Sequence, residues 1–298
     1  MHNMLHQLRD IADVRTAHPL APLTSFKIGG EATCFVVPKA AYVPQVMEAM
    51  RASGLPLLIL GNGSNLLVSD EGFRGVVVKL PAADELSIDG THIVCPAGIS
   101  LSRVCVTARE HALTGLEFAY GIPGTVGGAL YMNAGAYGGA MADVVESAQV
   151  LDEDGALYTI SAAEMELGYR YSVFMQRNDV IVSVTLRLRE GDKAEISARM
   201  GEYTQRRREK QPLEFPSAGS YFKRPPQEGV YAGALIEQCG LKGYHIGGAA
   251  VSEKHAGFVV NLGGATCADV LRLEEEVRER VFTLTGVLLQ REVRYVGG

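Results

Sequence analysis

The sequence lacks any pairing among its cysteines. Its five cysteines are odd in number, and no two of them form a C-x-x-C motif; they are Cys34, Cys95, Cys105, Cys239 and Cys267. A disulfide framework or a zinc ribbon needs such pairs, so the pattern argues against both. It is typical of a reducing compartment, and we expect the cytoplasm.

Long apolar runs and long basic runs are also missing. No apolar stretch approaches the roughly 20 residues that span a bilayer. The opening residues, MHNMLHQLRDIAD, carry charges where a secretory signal needs an apolar segment. The net charge of −6 argues against nucleic acid and anionic membranes as partners. We therefore expect a soluble protein that binds small molecules.

Three common functional motifs are absent as well. The glycines of residues 121–128 do not follow the G-x-G-x-x-G spacing of a Rossmann dinucleotide site. No G-x-S-x-G motif indicates a hydrolase. His245 and His255 lack the spacing of metal ligands, so we expect no metal site.

The length and the hydrophobic periodicity predict an α+β protein of three lobes. A chain of 298 residues has room for two or three domains. The order of predicted elements places the lobes at 1–80, 81–191 and 192–298. The predicted elements used below are an N-terminal helix and lead-in over 1–20, strands over 57–60, 180–188 and 288–296, and helices over 194–210 and 266–285.

Glycine is the one residue in excess, with 34 in the chain and seven in the stretch YGIPGTVGGALYMNAGAYGG at 120–139. A second glycine-rich loop, GNGSN at 61–65, follows the predicted strand over 57–60. Inward-facing amides in such loops bind anions, and small residues let a diphosphate come close. Either loop alone is explained equally well by tight turns. The two loops together favour a dinucleotide bound between two lobes.

Three further residues occur in unusual settings. Arg170 lies among aromatic residues in GYRYSVF, just before a predicted strand, and Ser220 lies in SAGSYFKRP, which we predict to be a loop. Glu292 lies in the predicted last strand, after Arg291. Each also has an ordinary explanation, as a cation–π arginine, a turn serine and a surface carboxylate respectively.

Taken in order, several stretches resemble the UDP-N-acetylenolpyruvoylglucosamine reductases, flavoenzymes of bacterial peptidoglycan precursor synthesis. The stretches are TSFKIGG, LGNGSNLLVSD, YGIPGTVGGALYMNAGAYGG, YRYSVF, PSAGSYFKRP, GALIEQCGLKG, GGAAVSEKHAGFVVN and LLQREVRYVG. The resemblance implies that the first two lobes form an FAD-binding fold of the vanillyl-alcohol-oxidase (PCMH) type. It implies that the third lobe is an α+β substrate-binding domain.

The resemblance also implies a set of site residues. The catalytic trio falls on Arg170, Ser220 and Glu292. Neither glycine loop contains a histidine or cysteine, so we expect FAD to be bound noncovalently. The residues expected to contact FAD are Gly61, Asn62, Gly63, Ser64, Asn65, Gly121, Ile122, Pro123, Gly124, Thr125, Gly127, Gly128, Asn133 and Gly135. Candidate substrate contacts are Arg207, Lys210, Lys223 and His255.

The implied reaction reduces FAD with NADPH and then transfers hydride to the enolpyruvyl double bond of UDP-N-acetylglucosamine-enolpyruvate, which gives UDP-N-acetylmuramate. Arg170 would bind the substrate carboxylate, Glu292 would support it, and Ser220 would donate a proton. Residues 174–179 run directly into the strand predicted at Val180, so the chain resembles the branch without an inserted tyrosine loop. Two alternatives stay open: a flavin-dependent sugar or lactone oxidase, and a flavin-binding regulatory protein without catalytic activity.

Overall fold

The computed structural model describes residues 8–82 and 86–297. These residues divide into two compact units, each built from separate chain segments. The first unit takes the described residues within Met1–Thr16, Cys34–Asn62 and Gly75–Arg207, and the second those within Ala17–Thr33, Gly63–Arg74 and Arg208–Gly298.

One sheet of the first unit carries the helix α1, Val43–Ala52. The sheet has four strands in the order β1-β2-β5-β3, where β3 and β5 are parallel. The bounds of these strands are Ala12–Pro19 for β1, Glu31–Pro38 for β2, Leu57–Leu60 for β3 and Phe73–Lys79 for β5. Val43, Val46, Met47 and Met50 form the buried face of α1, as the helical spacing predicts.

A second, antiparallel sheet provides the main core of the first unit. Its order is β12-β11-β13-β7-β6, and β11 and β12 form the hairpin that Asp154-Gly155 predicts. Its strands are β6 Ser87–Asp89, β7 His92–Pro96, β11 Val145–Leu151, β12 Leu157–Ser161 and β13 Val180–Arg187. Its helices are α2 Leu101–Glu110, the short α3 Val126–Tyr131, and α4 Lys193–Lys210, whose last three residues belong to the second unit. Two small ladders join β8 Leu113–Thr114 to β14 Arg189–Glu190, and β9 Gly135–Ala136 to β10 Gly139–Ala140.

The second unit packs two helices against an antiparallel sheet. The sheet order is β15-β18-β17-β16, and β4 pairs in parallel with β19. The strands are β4 Leu66–Val68, β15 Ser217–Ser220, β16 His245–Ile246, β17 Ala249–Val251, β18 Phe258–Asn261 and β19 Arg294–Val296; the helices are α5 Ala232–Gln238 and α6 Cys267–Thr285. Helix α6 begins with a capping box formed by Thr266 and Asp269, and Asp70 accepts hydrogen bonds from the amides of Cys267 (2.8 Å) and Ala268 (3.0 Å).

Most predicted elements are confirmed within a residue or two, including the α+β class, β3, β13, α4 and α6. The helix and lead-in predicted over 1–20 did not include a strand, whereas Ala12–Pro19 form β1; residues 1–7 of that prediction lie outside the described residues. The strand predicted over 288–296 is wrong for its first six residues, because only Arg294–Val296 pair as a strand. Within the described residues, no helix is long and apolar enough to cross a membrane.

Candidate active site

The two glycine-rich loops meet in the first unit. Gly61 follows β3, and a Cβ atom placed on it would lie 2.6 Å from Oγ1 of Thr125. Thr125 is 4% exposed and caps α3, because its Oγ1 accepts a hydrogen bond from the amide of Gly128 (3.2 Å). The fold therefore brings the two loops together, at a contact that leaves no room for a side chain at residue 61.

The second loop is also tied to strand β7 and the turn after it. The amide of Gly127 donates to the carbonyl oxygen of Ala97 (2.8 Å), and the amide of Val126 donates to that of Ile99 (2.9 Å). A Cβ atom on Gly127 would lie 2.8 Å from the Cβ of Ala97. The close approach that requires glycine at this position is thus an approach of the chain to itself.

Arg207, which we predicted as a substrate contact, lies against the second glycine loop. Its Nη1 donates to the carbonyl oxygen of Gly121, and its Cδ lies 3.6 Å from the place where a Cβ of Gly121 would be. Among the described residues, its Nε is one of three buried side-chain nitrogens that have no hydrogen-bond partner. A buried donor without a partner beside a glycine-rich loop suits an anionic, oxygen-rich group such as a phosphate.

A second contact also holds this loop to α4. The ring of Tyr137 stacks on that of Tyr203 with 4.3 Å between centroids. The hydroxyl of Tyr137 donates to the carbonyl oxygen of Tyr203 (3.0 Å). Helix α4 therefore supports the loop near both of its ends.

Arg170 lies in a tight turn, and residues 171–179 separate it from β13. Gly168 and Tyr171 exchange backbone hydrogen bonds (3.1 and 3.2 Å), and Arg170 between them has a φ of 53°, a left-handed conformation that is rare for arginine. Its Nη2 donates to the carbonyl oxygen of Gly135 (3.3 Å), and its guanidinium lies 5.3 Å from the ring centre of Tyr169. Such an uncommon backbone conformation is frequent at functional positions.

Two buried side chains fix this turn to the end of α3. The Nδ2 of Asn133 donates to the carbonyl oxygen of Gly168 (2.7 Å), and its Oδ1 accepts from the amide of Ala142 (2.9 Å). The hydroxyl of Ser172 donates to the carbonyl oxygen of Tyr131 (2.7 Å). Asn133, which we predicted as a cofactor contact, therefore holds the turn of Arg170 through Nδ2 and the segment of Ala142 through Oδ1.

In the second unit, backbone pairing brings Ser220 and Glu292 onto neighbouring segments. The amide of Glu292 donates to the carbonyl oxygen of Tyr221 (2.8 Å), and the amide of Lys223 donates to that of Gln290 (2.7 Å). Ser220 is exposed and ends β15, opposite Phe258 of β18. The prediction of a loop at Ser220 is thus wrong, and Glu292 lies in the irregular segment just before β19.

The end of the first glycine loop lies beside Glu292. The Nδ2 of Asn65 donates to the carbonyl oxygen of Glu292 (3.3 Å), and the amide of Arg294 donates to that of Asn65 (2.9 Å). A Cβ atom on Gly63 would lie 2.5 Å from the carbonyl oxygen of Leu23. The loop therefore passes from the first unit, at Asn62, into the second, where it is held next to a proposed catalytic residue.

His255 lies close to the strand of Ser220, because the amide of Tyr221 donates to the carbonyl oxygen of Gly257 (2.8 Å). The Nδ1 of His255 accepts from the amide of Gly257 (3.0 Å), which places the ring proton of the neutral form on Nε2. Burial lowers the pKa of His255, and the nearby charges of Lys242 and Lys210 lower it further.

The remaining predicted contacts occupy ordinary backbone positions. The carbonyl oxygen of Gly124 accepts from the amide of Leu101 (3.0 Å), and the amide of Ile122 donates to the carbonyl oxygen of Ala119 (3.0 Å). Asn62, Pro123 and Gly128 are exposed, and Ser64 and Gly135 are half-buried.

The sequence reasoning missed Glu274. It lies on the buried face of α6 with Val270, Leu273 and Val277, and it is 7% exposed. The sequence contains one indication of this residue, because the helical spacing favours an apolar side chain at position 274 and a glutamate stands there instead.

Comparisons with known proteins agree along the whole chain. Residues 32–161 match the FAD binding domain family, and residues 211–296 match the C-terminal domain of UDP-N-acetylenolpyruvoylglucosamine reductase. The reductase of that name from Caldanaerobacter subterraneus subsp. tengcongensis is 50% identical over 280 residues, which cover 94% of this chain and 92% of that protein. The one from Clostridium kluyveri is 45% identical and covers 98% and 96%.

The chain belongs to the UDP-N-acetylenolpyruvoylglucosamine reductase family. The crystal structure of the family member from Thermus caldophilus has a TM-score of 0.81 and 36% identity, covering 96% of this chain and 98% of that one. The α+β fold with an FAD-binding domain is thereby confirmed, as is the resemblance read from the motifs. The chain is an FAD-containing oxidoreductase of this family, and neither the sugar oxidase nor the regulatory protein is supported.

Proposed function

We propose that the chain reduces the enolpyruvyl group of UDP-N-acetylglucosamine-enolpyruvate with NADPH, forming UDP-N-acetylmuramate for peptidoglycan synthesis. Family membership supports the reaction class. The single structural observation that carries the proposal is the backbone pairing that places Ser220 and Glu292 on neighbouring segments. We place the reaction in the cytoplasm, where it would serve cell-wall growth and hence cell shape and division.

The first unit holds two features that suit FAD. The loops meet at Gly61 and Thr125 with no space for side chains, and the buried Nε of Arg207 lies beside the second loop. When bound there, FAD supplies the hydride relay between NADPH and substrate. The amides of 61–65 would hold its diphosphate and those of 121–135 would lie near its flavin, without a covalent bond, because neither loop has a histidine or cysteine.

Arg170 is the residue we propose to bind the substrate carboxylate. A guanidinium offers a planar pair of donors that matches a carboxylate and stabilises the negative charge that develops on it. The turn over 168–171 presents this side chain from a backbone that Asn133 and Ser172 fix by hydrogen bonds of 2.7 Å each. Fixing the turn restricts where the guanidinium can lie before substrate binds.

Ser220 is the residue we propose to donate a proton from its Oγ to the carbon attached to the carboxylate, after hydride has reached the terminal carbon of the enolpyruvyl double bond. Glu292 would stabilise the enediolate formed by that hydride transfer, together with Arg170. Lys223, His255 and Lys210 belong to the same unit as Ser220 and Glu292, and they are our candidates for binding the nucleotide part of the substrate.

The lobes at 1–80, 81–191 and 192–298 remain our proposal for two FAD-binding lobes and a substrate domain.

Steady-state NADPH oxidation tests the proposed function. We expect oxidation to require the UDP-enolpyruvyl sugar and to yield one UDP-N-acetylmuramate per NADPH. NADPH oxidation that consumes oxygen at the same rate without the sugar would instead indicate an oxidase.

The Ser220→Ala variant tests the proposed proton donor. The serine acts only after hydride has reached the substrate, so flavin reduction by NADPH stays normal. Reoxidation by the UDP-enolpyruvyl sugar slows about 10²–10⁴-fold, the usual effect of losing a positioned acid. Stopped-flow flavin absorbance resolves the two half-reactions, and Ser217→Ala on the same strand is the control. Equal slowing of both half-reactions would show that Ser220 only shapes the pocket.

A further inference from the structure

A buried polar cluster lies directly behind the segments of Ser220 and Glu292. The hydroxyl of Tyr221 donates to Oε2 of Glu274 (2.8 Å), and Nη1 of Arg291 lies 3.4 Å from the same oxygen. Nη1 of Arg278, on the same helix as Glu274, lies 3.7 Å from its other oxygen. We call Tyr221, Glu274 and Arg291 the Glu274 cluster.

Two members of this cluster are sequence neighbours of the proposed reactive residues. Tyr221 directly follows Ser220, and Arg291 directly precedes Glu292. One carboxylate therefore bonds to the chain neighbour of each proposed reactive residue. The same two segments are also paired by the backbone, since the amide of Glu292 donates to the carbonyl oxygen of Tyr221 (2.8 Å).

Packing alone does not explain a glutamate at this position. Val270, Leu273 and Val277 around it on α6 are fully buried, and an apolar side chain would continue that face without removing a charge from water. A buried ion pair is often no more stabilising than well-packed apolar residues, and one use of such pairs is to select a single arrangement of the chain. Burial raises the pKa of Tyr221, and the charge of Glu274 raises it further, so the hydroxyl stays a donor.

We propose that Glu274 is a positioning residue that fixes the register of Ser220 against Glu292 through Tyr221 and Arg291. Tyr221 is 1% exposed and its ring meets that of Phe222 edge-on at 5.0 Å, so a hydroxyl held by Glu274 leaves the backbone at Ser220 little freedom. Arg291 in turn restrains the irregular segment that carries Glu292. The catalytic consequence of this inference rests on the proposed function, but the restraint itself does not.

Glu274→Gln and Tyr221→Phe test the inference, with Arg278→Gln as the matched control. Glu274→Gln keeps the size and one acceptor oxygen but removes the negative charge that pairs with Arg291 and Arg278, and Tyr221→Phe removes only the hydroxyl. Arg278→Gln removes the ion pair on Oε1 of Glu274, and Arg278 belongs to α6 and not to the segments of Ser220 or Glu292. Tyr221→Phe and Arg278→Gln each lose one polar contact of the same carboxylate, and Glu274→Gln loses the charge of the carboxylate itself.

The first measurement is amide hydrogen exchange of the peptide that contains Glu292, which needs no activity. We expect faster exchange in Glu274→Gln and Tyr221→Phe than in Arg278→Gln. The second measurement is the stopped-flow split of the half-reactions. Small misplacements of reacting groups slow chemistry up to about 100-fold, so we expect reoxidation by the sugar to slow about 10- to 100-fold while flavin reduction and the Arg278→Gln control stay normal.

Two results would overturn the inference. One is exchange at Glu292 that is no faster in Glu274→Gln and Tyr221→Phe than in Arg278→Gln. The other is equal slowing of reduction and reoxidation in those two variants, which would indicate a general loss of structure. A wild-type protein that the sugar fails to reoxidise would contradict the proposed function instead, and the exchange measurement would still decide the role of Glu274.

Discussion

Gly61→Ala is the substitution whose effect follows most directly from the geometry. The new Cβ would lie 2.6 Å from Oγ1, 3.6 Å from Cγ2 and 3.7 Å from Cβ of Thr125. Gly61 is not among the residues with positive φ, so alanine can adopt its backbone conformation and the contact with Thr125 alone decides the outcome. Thr125 is 4% exposed and cannot move aside freely.

The size of the effect is the sum of three contributions. Rotating Thr125 away breaks the hydrogen bond from the amide of Gly128, and loss of such a helix cap lowers the free energy of unfolding by about 1 kcal/mol. Crowding a packed site lowers it by about 1–3 kcal/mol. Replacing glycine restricts the conformations of the unfolded chain, which raises the free energy of unfolding by about 0.4–1 kcal/mol. We therefore expect a net destabilisation of about 1–3 kcal/mol and weaker FAD binding, because both loops are displaced.

Thermal denaturation and a flavin-fluorescence titration measure the two effects. Gly201→Ala is the control, because Gly201 is exposed on α4 and nothing in the described chain lies within 4 Å of its Cβ position. That change should raise stability by up to about 1 kcal/mol and leave FAD affinity unchanged. In a Thr125→Ala background, Gly61→Ala should have little further effect. Equal destabilisation with and without the Thr125 side chain would refute the reasoning.

Three further outcomes are expected. The purified protein should be yellow and release free FAD on acid denaturation, whereas flavin that stays with the polypeptide would indicate a covalent bond. Arg170→Lys should lower kcat by orders of magnitude, because lysine keeps the charge but loses the paired donors; near-normal turnover would make Arg170 a packing residue. Because the pKa of His255 is lowered in the folded protein, the unfolded chain takes up a proton at this histidine at a higher pH than the folded protein does. The contribution of His255 to the free energy of unfolding is therefore complete above about pH 6.5 and is lost as the pH falls below that value. Urea unfolding at about pH 7.5 and about pH 5.5 should show a steeper loss for wild type than for His255→Asn, and identical losses would contradict this assignment.

The sequence predicted those elements whose burial follows a simple period. Strand β3, Leu57–Leu60, is a continuous apolar run before a glycine, and α6 has its apolar residues on one face. Strand β1, Ala12–Pro19, was missed because most of its residues are at least partly exposed and no alternation shows. Strand β15, Ser217–Ser220, was missed because its four small residues form a strand only by pairing with the distant β18.

The candidate site was predictable in its residues but less so in their roles. The motifs name Arg170, Ser220 and Glu292, yet they do not reveal that Asn133 supports the turn of Arg170. They do not reveal that Arg207 bonds to the second glycine loop either. Both contacts depend on the path of the backbone between distant segments, which local periodicity does not contain.

The division of the second unit among three chain segments has a consequence for synthesis of the protein on the ribosome. Its core includes Phe26, Ile28 and Leu67 from early segments, packed with residues that follow position 208. The amide of Asn261 donates to the carbonyl oxygen of Phe26 (3.1 Å) across 235 positions of the chain, and β4 pairs with β19. The apolar side chains of these early segments therefore lack the residues they pack against until nearly the whole chain has been translated. During that interval they are the surface on which a nascent-chain chaperone would act and at which premature aggregation would begin.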